Sequence, residues 1–259
     1  MKMGPEGFEE TSLDIAYSHI IIMNDEQLLE KIKNVIVEST NNDLISLYVI
    51  GSFLRKEMEE YSDIDLVGIM KPTFDFEKEK HINEMLNKRV RSKHRIGMGT
   101  VSYDEFFGGE RKGSMTEYIT VPVFIKFLKK AKLVYGKKIK FDKLPIKPAT
   151  DKEELKYHIE VFDKYKDMFR KRHRFSADFT FRDFIKIMFY IANLELRILK
   201  KSKRRDSYVE VDNAFRNDND HIVHYSMFLR RKRTEITNKE KEVWFGMAED
   251  YVRRMKKLL

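Results

Sequence analysis

Residues 48–70 read YVIGSFLRKEMEEYSDIDLVGIM, and the fold turns on this stretch. Leu44 to Ile50 is short, apolar and rich in β-branched and aromatic residues, the pattern of a buried strand. Gly51 ends it, because a residue without Cβ lets the backbone turn sharply and lets a ligand come close. Ser52 stands where a helix begins, and Phe53 to Glu60 can form that helix. A helix start offers free N–H groups and the positive end of the dipole, which suit a phosphate. Arg55 and Lys56, one turn in, add positive charge for a triphosphate. Ser62 to Met70 reads as the next strand. Strand alternation puts Asp63 and Asp65 on one side and Ile64 and Leu66 on the other. Two carboxylates so close raise each other's pKa unless a cation neutralises them. A hard divalent ion shared with substrate phosphates is the natural partner, most often Mg²⁺.

Ile50-Gly51-Ser52, ten residues, then Asp63-Ile64-Asp65-Leu66 resembles the signature of the polymerase-β-like nucleotidyltransferase superfamily. Ser62 also matches its common Ser-Asp form. The resemblance implies that Gly51 and Ser52 hold nucleotide phosphates, with Ser62, Arg55 and Lys56 as looser contacts. It implies that Asp63 and Asp65 are the catalytic carboxylates and bind two Mg²⁺ ions, with an NTP as substrate. Active members usually carry a third carboxylate on a later strand. The strand expected to supply it, His94 to Tyr103, has neither Asp nor Glu, and Gly97 and Gly99 occupy the region. Asp104 and Glu105 follow, and Asp104 is the candidate third metal ligand. The competing reading makes Ser102 an N-cap and Glu105 the far side of a capping box.

The chain has 259 residues, 42% of them hydrophobic, enough for a sizeable core and against disorder. It has no cysteine, which excludes a disulfide framework and a thiolate zinc site and fits a cytoplasmic location. The run Ile20-Ile21-Ile22-Met23 is too short to span a membrane. Gly4 to Glu10 resembles a peptide produced by translation through an upstream tRNA gene. Residues 1–23 are therefore expected to be a disordered or mis-called extension, with Met23 as an alternative start. Net charge is +9, and it sits in the second half. From residue 151 onward there are 27 Lys and Arg against 19 Asp and Glu.

The expected class is α/β (α+β): a small mixed-sheet nucleotidyltransferase domain over 24–140, then an all-α helical bundle over 150–259. Asn24 caps a helix to Ser39 whose apolar stripe is Leu28, Leu29, Ile32, Val35 and Ile36. Phe74 to Val90 reads as an exposed helix. Gly108 to Gly113 is a polar loop, read as a surface connection or as a lid carrying Arg111 and Lys112. Val121 to Leu133 reads as one helix, and Lys140 to Pro148 as the linker. Four helices follow, opening at Thr150, Thr180, Tyr208 and Thr237. Basic clusters at Lys171–Arg174, Lys200–Arg205, Arg230–Arg233 and Arg253–Lys257 suit helix C-termini, and together they suit RNA. Phe175, Phe179 and Phe181 interleave with them. Arg216, four residues, then His221 resembles the motif of HEPN domains, helical bundles that are sometimes RNases and generally dimers.

The expected activity is Mg²⁺-dependent transfer of a nucleoside monophosphate from an NTP to an acceptor hydroxyl on a small molecule, protein or RNA. The helical half would bind the acceptor, as in aminoglycoside nucleotidyltransferases. The alternative is a catalytically impaired nucleotide- or RNA-binding regulator, antitoxin-like, without the third carboxylate. RNA cleavage at His221 is a further reading. A homodimer is compatible with each, and a membrane partner with none.

Overall fold

The computed structural model describes residues 23–58, 62–172, 180–205, 207–232 and 235–259. Most of the expected N-terminal extension lies outside these residues, as do Glu59 to Tyr61, His173 to Phe179 and Arg233.

A four-stranded mixed sheet organises the first half. Its strands are β1 (Leu44–Ile50), β2 (Ile64–Met70), β3 (Ile96–Ser102) and β4 (Lys132–Gly136), in the order β3-β2-β1-β4. β1 runs antiparallel to β2 and β4, and β2 runs parallel to β3. One face packs Leu47, Val49, Ile64 and Leu66 against α1 (Asp25–Ser39) and α3 (Lys78–Arg89). Asn24 caps α1 with a full capping box, and Leu29, Ile32, Val35 and Ile36 are its buried stripe. The other face packs Tyr48, Val67, Ile69 and Val101 against Phe124, Ile125 and Leu128 of α5 (Val121–Leu128). The short α2 (Ser52–Arg55) and α4 (Ser114–Tyr118) connect these pieces.

The second half is helical: α6 (Asp151–Arg172), α7 (Phe181–Leu199), α8 (Tyr208–Ala214), α9 (Ile222–Arg231) and α10 (Asn238–Lys256). Ten residues of α7 are buried, and they meet Trp244, Phe245 and Tyr251 of α10 in one core. Capping boxes at Thr180 and Thr237 open α7 and α10.

Three expectations are corrected. The run from Val121 is not one helix: α5 stops at Leu128, and Leu133-Val134-Tyr135 pairs with β1 as β4. Paired lysines end the helix, and β-branched and aromatic residues suit the sheet edge. The stretch from Lys140 is not a free linker, since Ile139, Phe141 and Leu144 are buried against the sheet. The helix from Tyr208 is two helices, because the polar run Arg216 to Asp220 forms a turn and His221 caps α9.

The halves are clamped together. Lys126 Nζ on α5 lies 2.7 Å from Asp151 Oδ1 and 2.6 Å from Glu154 Oε2, both on α6. Arg197 of α7 pairs with the same two carboxylates. Ala149 N donates to Pro122 O at 2.9 Å. Tyr157 Oη donates to Tyr118 O at 3.2 Å.

Candidate active site

Gly51 is the hinge of the site. It takes φ +77° and ψ −151°, a backbone conformation that essentially only glycine adopts. Ile50 pairs with Asp65 across the β1–β2 ladder, so Gly51 lies beside the Asp65 carboxylate. A Cβ on Gly51 would stand 2.6 Å from Asp65 Oδ2. Ser52 then opens α2, a single turn that Lys56 ends in the left-handed region at φ +55°. The helix is thus shorter than the run from Phe53 to Glu60 suggests. Ser52 Oγ lies 3.2 Å from Met58 Sδ, a weak bond that leaves its oxygen able to accept from or donate to a ligand.

Asp65 is the second residue of β2, and its neighbours Ile64 and Leu66 point into the core under α1 and α3. Its side chain therefore faces the opposite side, where a cavity of ≈ 730 Å³ opens between sheet and helices. Asp65 is open to that cavity yet walled by protein. Burial pushes its pKa up to about 6; Asp63 and Asp183 add to the rise, and Lys186 and Arg55 oppose it. Asp63, just before β2, is exposed and close enough to Asp65 to repel it. The spacing thus brings Gly51, Asp63 and Asp65 together.

Arg55 reaches the same cavity, but it is partly spent. Its Nε donates to Glu57 Oε2 at 2.8 Å, and its guanidinium lies 5.0 Å over the Tyr208 ring. Glu57 Oε1 in turn accepts from Tyr208 N at 3.0 Å, so α2 is docked to the start of α8. Lys56 is exposed and does not line the cavity, and Ser62 is half-buried just before Asp63.

The structure does not bring Asp104 to the pair. Asp65 is in register with Gly97, and Ser102 with Met70, five residues further along. At about 3.3 Å per residue, the end of β3 is roughly 16 Å from Asp65. Asp104 instead accepts from Ser102 Oγ. Glu105 is buried and accepts from the backbone N–H groups of Ser102, Lys112 and Gly113. The capping-box reading of Ser102 and Glu105 holds. Those bonds also pin the glycine-rich loop, and its Arg111 and Lys112 are exposed away from the cavity lining. Beside Asp65, a Cβ on Gly97 would meet nothing within 4 Å. Among the described residues no three His, Asp or Glu side chains converge in a metal-binding cluster.

Several cavity residues escape a reading of the motif alone, and all come from the helical half. Asp183 and Lys186 on α7 form an ion pair at 3.0 Å. Asp183 also accepts from Thr180 N and Oγ1, both at 2.8 Å. Burial opposes the charge on Lys186, but Asp183 and Asp65 outweigh it and hold its pKa above the ordinary lysine value. Tyr190, one turn further on, stacks on His158 of α6 with centroids 5.0 Å apart. His158 is buried, its Nε2 has no hydrogen-bond partner, and burial pushes its pKa down to about 4. His221, by contrast, is a core residue. Its ring stacks on Phe215 at 3.7 Å, its Nδ1 accepts from Val223 N, and its Nε2 bonds Glu195 at 3.2 Å.

Comparison with known proteins agrees with this geometry. Residues 29–161 match the family model described as a nucleotidyltransferase domain. The chain is similar to the spectinomycin adenyltransferase AAD(9) from Enterococcus faecialis, whose crystal structure contains ATP and spectinomycin. The two share 14% identity and a TM-score of 0.61, over 90% of this chain and 100% of that one. At that identity the likeness speaks to the fold. A toxin–antitoxin structure with AMP-PNP overlaps 56% of this chain and 92% of its own, at 14% identity and a TM-score of 0.31. No curated protein matches.

Proposed function

The chain belongs to the nucleotidyltransferase domain family, and from that premise we propose that it transfers a nucleoside monophosphate from an NTP to an acceptor hydroxyl. The acceptor oxygen attacks the α-phosphorus, the bond to the bridging oxygen breaks, and pyrophosphate leaves as the hydroxyl proton is lost. The observation that carries this reading is the fit between Gly51 and Asp65. A turn that only glycine can make exposes N–H groups at the start of α2 directly beside a carboxylate.

Under this reading Gly51 and Ser52 cradle the phosphates, with Ser62 and Arg55 near them, while Lys56, exposed outside the cavity lining, adds only longer-range positive charge. Lys186 supplies a second cation from α7. Two carboxylates on one side of a strand suit Mg²⁺, which is commonly held by one or two carboxylates plus substrate phosphates. Asp63 and Asp65 would hold it, and it would supply charge neutralisation and a lowered acceptor pKa. The sheet half is then the nucleotide domain and the helical half the acceptor domain. No helix among the described residues is long and apolar enough to cross a membrane.

One observation favours a second reading. Asp183 is the other cavity carboxylate, but Thr180 and Lys186 occupy it and hold its pKa down against burial. It is a poor proton acceptor, and among the described residues nothing lies within 4 Å of where a Cβ on Gly97 would stand. A regulator that binds nucleotide with slow or no turnover has the same motif. RNA is a weaker partner, because the basic clusters are partly spent: Lys232 pairs with Glu240 and Lys256 with Asp163. Incubation with Mg²⁺, α-labelled NTPs and candidate acceptors separates the two. Label transfer lost in Asp63→Ala supports the transferase; nucleotide binding without transfer to any acceptor, or to the protein itself, supports the regulator.

A further inference from the structure

We infer that Glu57 is a positioning residue for the phosphate end of the site. Its carboxylate holds the Arg55 guanidinium and ties it to the start of α8, so the helical half sets where this cation stands. The inference rests on the proposed reading for what Arg55 meets, the phosphates of an NTP, and on the structure alone for what holds Arg55.

Arg55 lines the cavity and opposes the rise that burial forces on the Asp65 pKa, so its charge is felt at that carboxylate. It is the last residue of α2, and the chain reverses directly after it. Lys56 takes the left-handed region, and Glu57 N donates back to Ser52 O at 3.0 Å. That reversal brings Glu57 back to the turn that Gly51 and Ser52 form. Its two oxygens then serve different halves of the molecule. Oε2 accepts from Arg55 Nε at 2.8 Å, and Oε1 accepts from Tyr208 N at 3.0 Å. The Arg55 and Glu57 side chains are only 24% and 16% exposed, so the pair is held more firmly than one on an open surface.

Tyr208 is itself fixed from α7. It is buried, its ring centroid lies 4.7 Å from that of Phe189, and its hydroxyl lies 3.5 Å from Tyr190 Oη. The Arg55 guanidinium lies 5.0 Å over the Tyr208 ring, and the Arg230 guanidinium of α9 lies 4.6 Å over it. Arg55 is thus set by a carboxylate and by a ring. A guanidinium is planar, so a bond at Nε fixes its plane and the direction of its terminal N–H groups. Those groups match phosphate oxygens two at a time. The competing role for Glu57 is a carboxylate that phosphate must displace from Arg55. Glu57 bonds the inner nitrogen and is anchored by Tyr208 N, so a phosphate at the terminal nitrogens leaves it in place.

The test measures affinity for two probes, AMP and an ATP analogue with a non-cleavable α–β bridge, in the full chain with Mg²⁺. Wild type is expected to prefer the analogue. Glu57→Gln keeps the shape and an acceptor for Tyr208 N but loses the charge that holds Arg55. It is expected to weaken binding of the analogue about tenfold and to leave AMP within about twofold. Arg55→Ala is expected to weaken the analogue at least as much. Adding Glu57→Gln to Arg55→Ala is expected to bring no further loss, because Glu57 acts only through Arg55. Analogue affinity that is unchanged or tighter in Glu57→Gln overturns the inference. Equal losses for AMP and the analogue, or additive losses in the double variant, overturn it too, as does a wild type with no preference for the analogue. Label transfer is measured separately. No transfer with the coupling intact sinks the transferase reading and leaves the Glu57 assignment standing; transfer without the coupling does the reverse.

Discussion

The carboxylate of Asp65 occupies the space that a side chain at Gly51 would need: a Cβ there would stand 2.6 Å from Asp65 Oδ2. The two halves of the motif are thus one steric unit, coupled across the β1–β2 ladder. Gly51→Ala must push Asp65 aside and also strain a backbone at φ +77°. That strain costs about 1–3 kcal/mol, which a domain of this size survives. A misplacement near 1 Å at a reacting centre costs roughly a hundredfold in rate. Gly51→Ala is therefore expected to remain folded by circular dichroism while losing about two orders of magnitude in nucleotide transfer. Full activity in the folded variant would refute the coupling.

Asp65 makes opposite demands on activity and stability. Its pKa is pushed up to about 6, chiefly by burial, from an unfolded value of 3.8. The unfolded state therefore releases this proton at lower pH than the folded state does. Stability falls as pH rises from about 4 to about 6 and stays lowered above that. Asp65→Asn removes the penalty. In EDTA at about pH 7.5 the variant should melt above wild type, and the gap should close as pH falls towards 4. Transfer should be lost. A lower melting temperature for Asp65→Asn at pH 7.5 would contradict the assignment.

The motif half of the site was legible because each of its constraints is local. Strand alternation places Asp63 and Asp65, and the turn demands Gly51. The helical half of the site was not legible, although a signal existed. Asp183, Lys186 and Tyr190 recur at i, i+3 and i+7 in the first, mostly apolar part of α7, a polar stripe on a largely buried helix. Reading α7 only for its apolar face conceals that stripe. β4 was missed for another reason: nothing local separates a five-residue edge strand from the end of an apolar helix. The break between α8 and α9 was written in the sequence, as five polar residues from Arg216 to Asp220.

His224 holds that break closed. Its Nδ1 lies 2.6 Å from Asp212 Oδ1, and its Nε2 lies 3.1 Å from the carbonyl oxygens of Phe215 and Asp218. Burial opposes the imidazolium, but Asp212 and the two carbonyls outweigh it and raise the pKa above 6.5. The stabilisation is therefore fully present below the unfolded value and fades as pH rises through the folded one. The melting temperature of wild type minus that of His224→Gln should be largest below about pH 6.5, the unfolded value, and shrink as pH rises above it. A gap that widens over that range would contradict the latch.

His221 stabilises the same region from inside the core. It is 2% exposed, stacked on Phe215, and bonded to both Val223 N and Glu195. Tyr251 Oη donates to the same Glu195 oxygen at 2.7 Å. His221→Ala would leave a cavity, uncap α9 and strip one partner from a largely enclosed carboxylate. Cavity formation and a lost buried partner together cost roughly 3–5 kcal/mol. Chemical denaturation of the variant should show a loss of that order. A general acid or base for RNA cleavage must reach a phosphate, and an imidazole packed between Phe215 and Tyr251 does not. A His221→Ala variant that keeps wild-type stability but loses a ribonuclease activity would reverse this assignment.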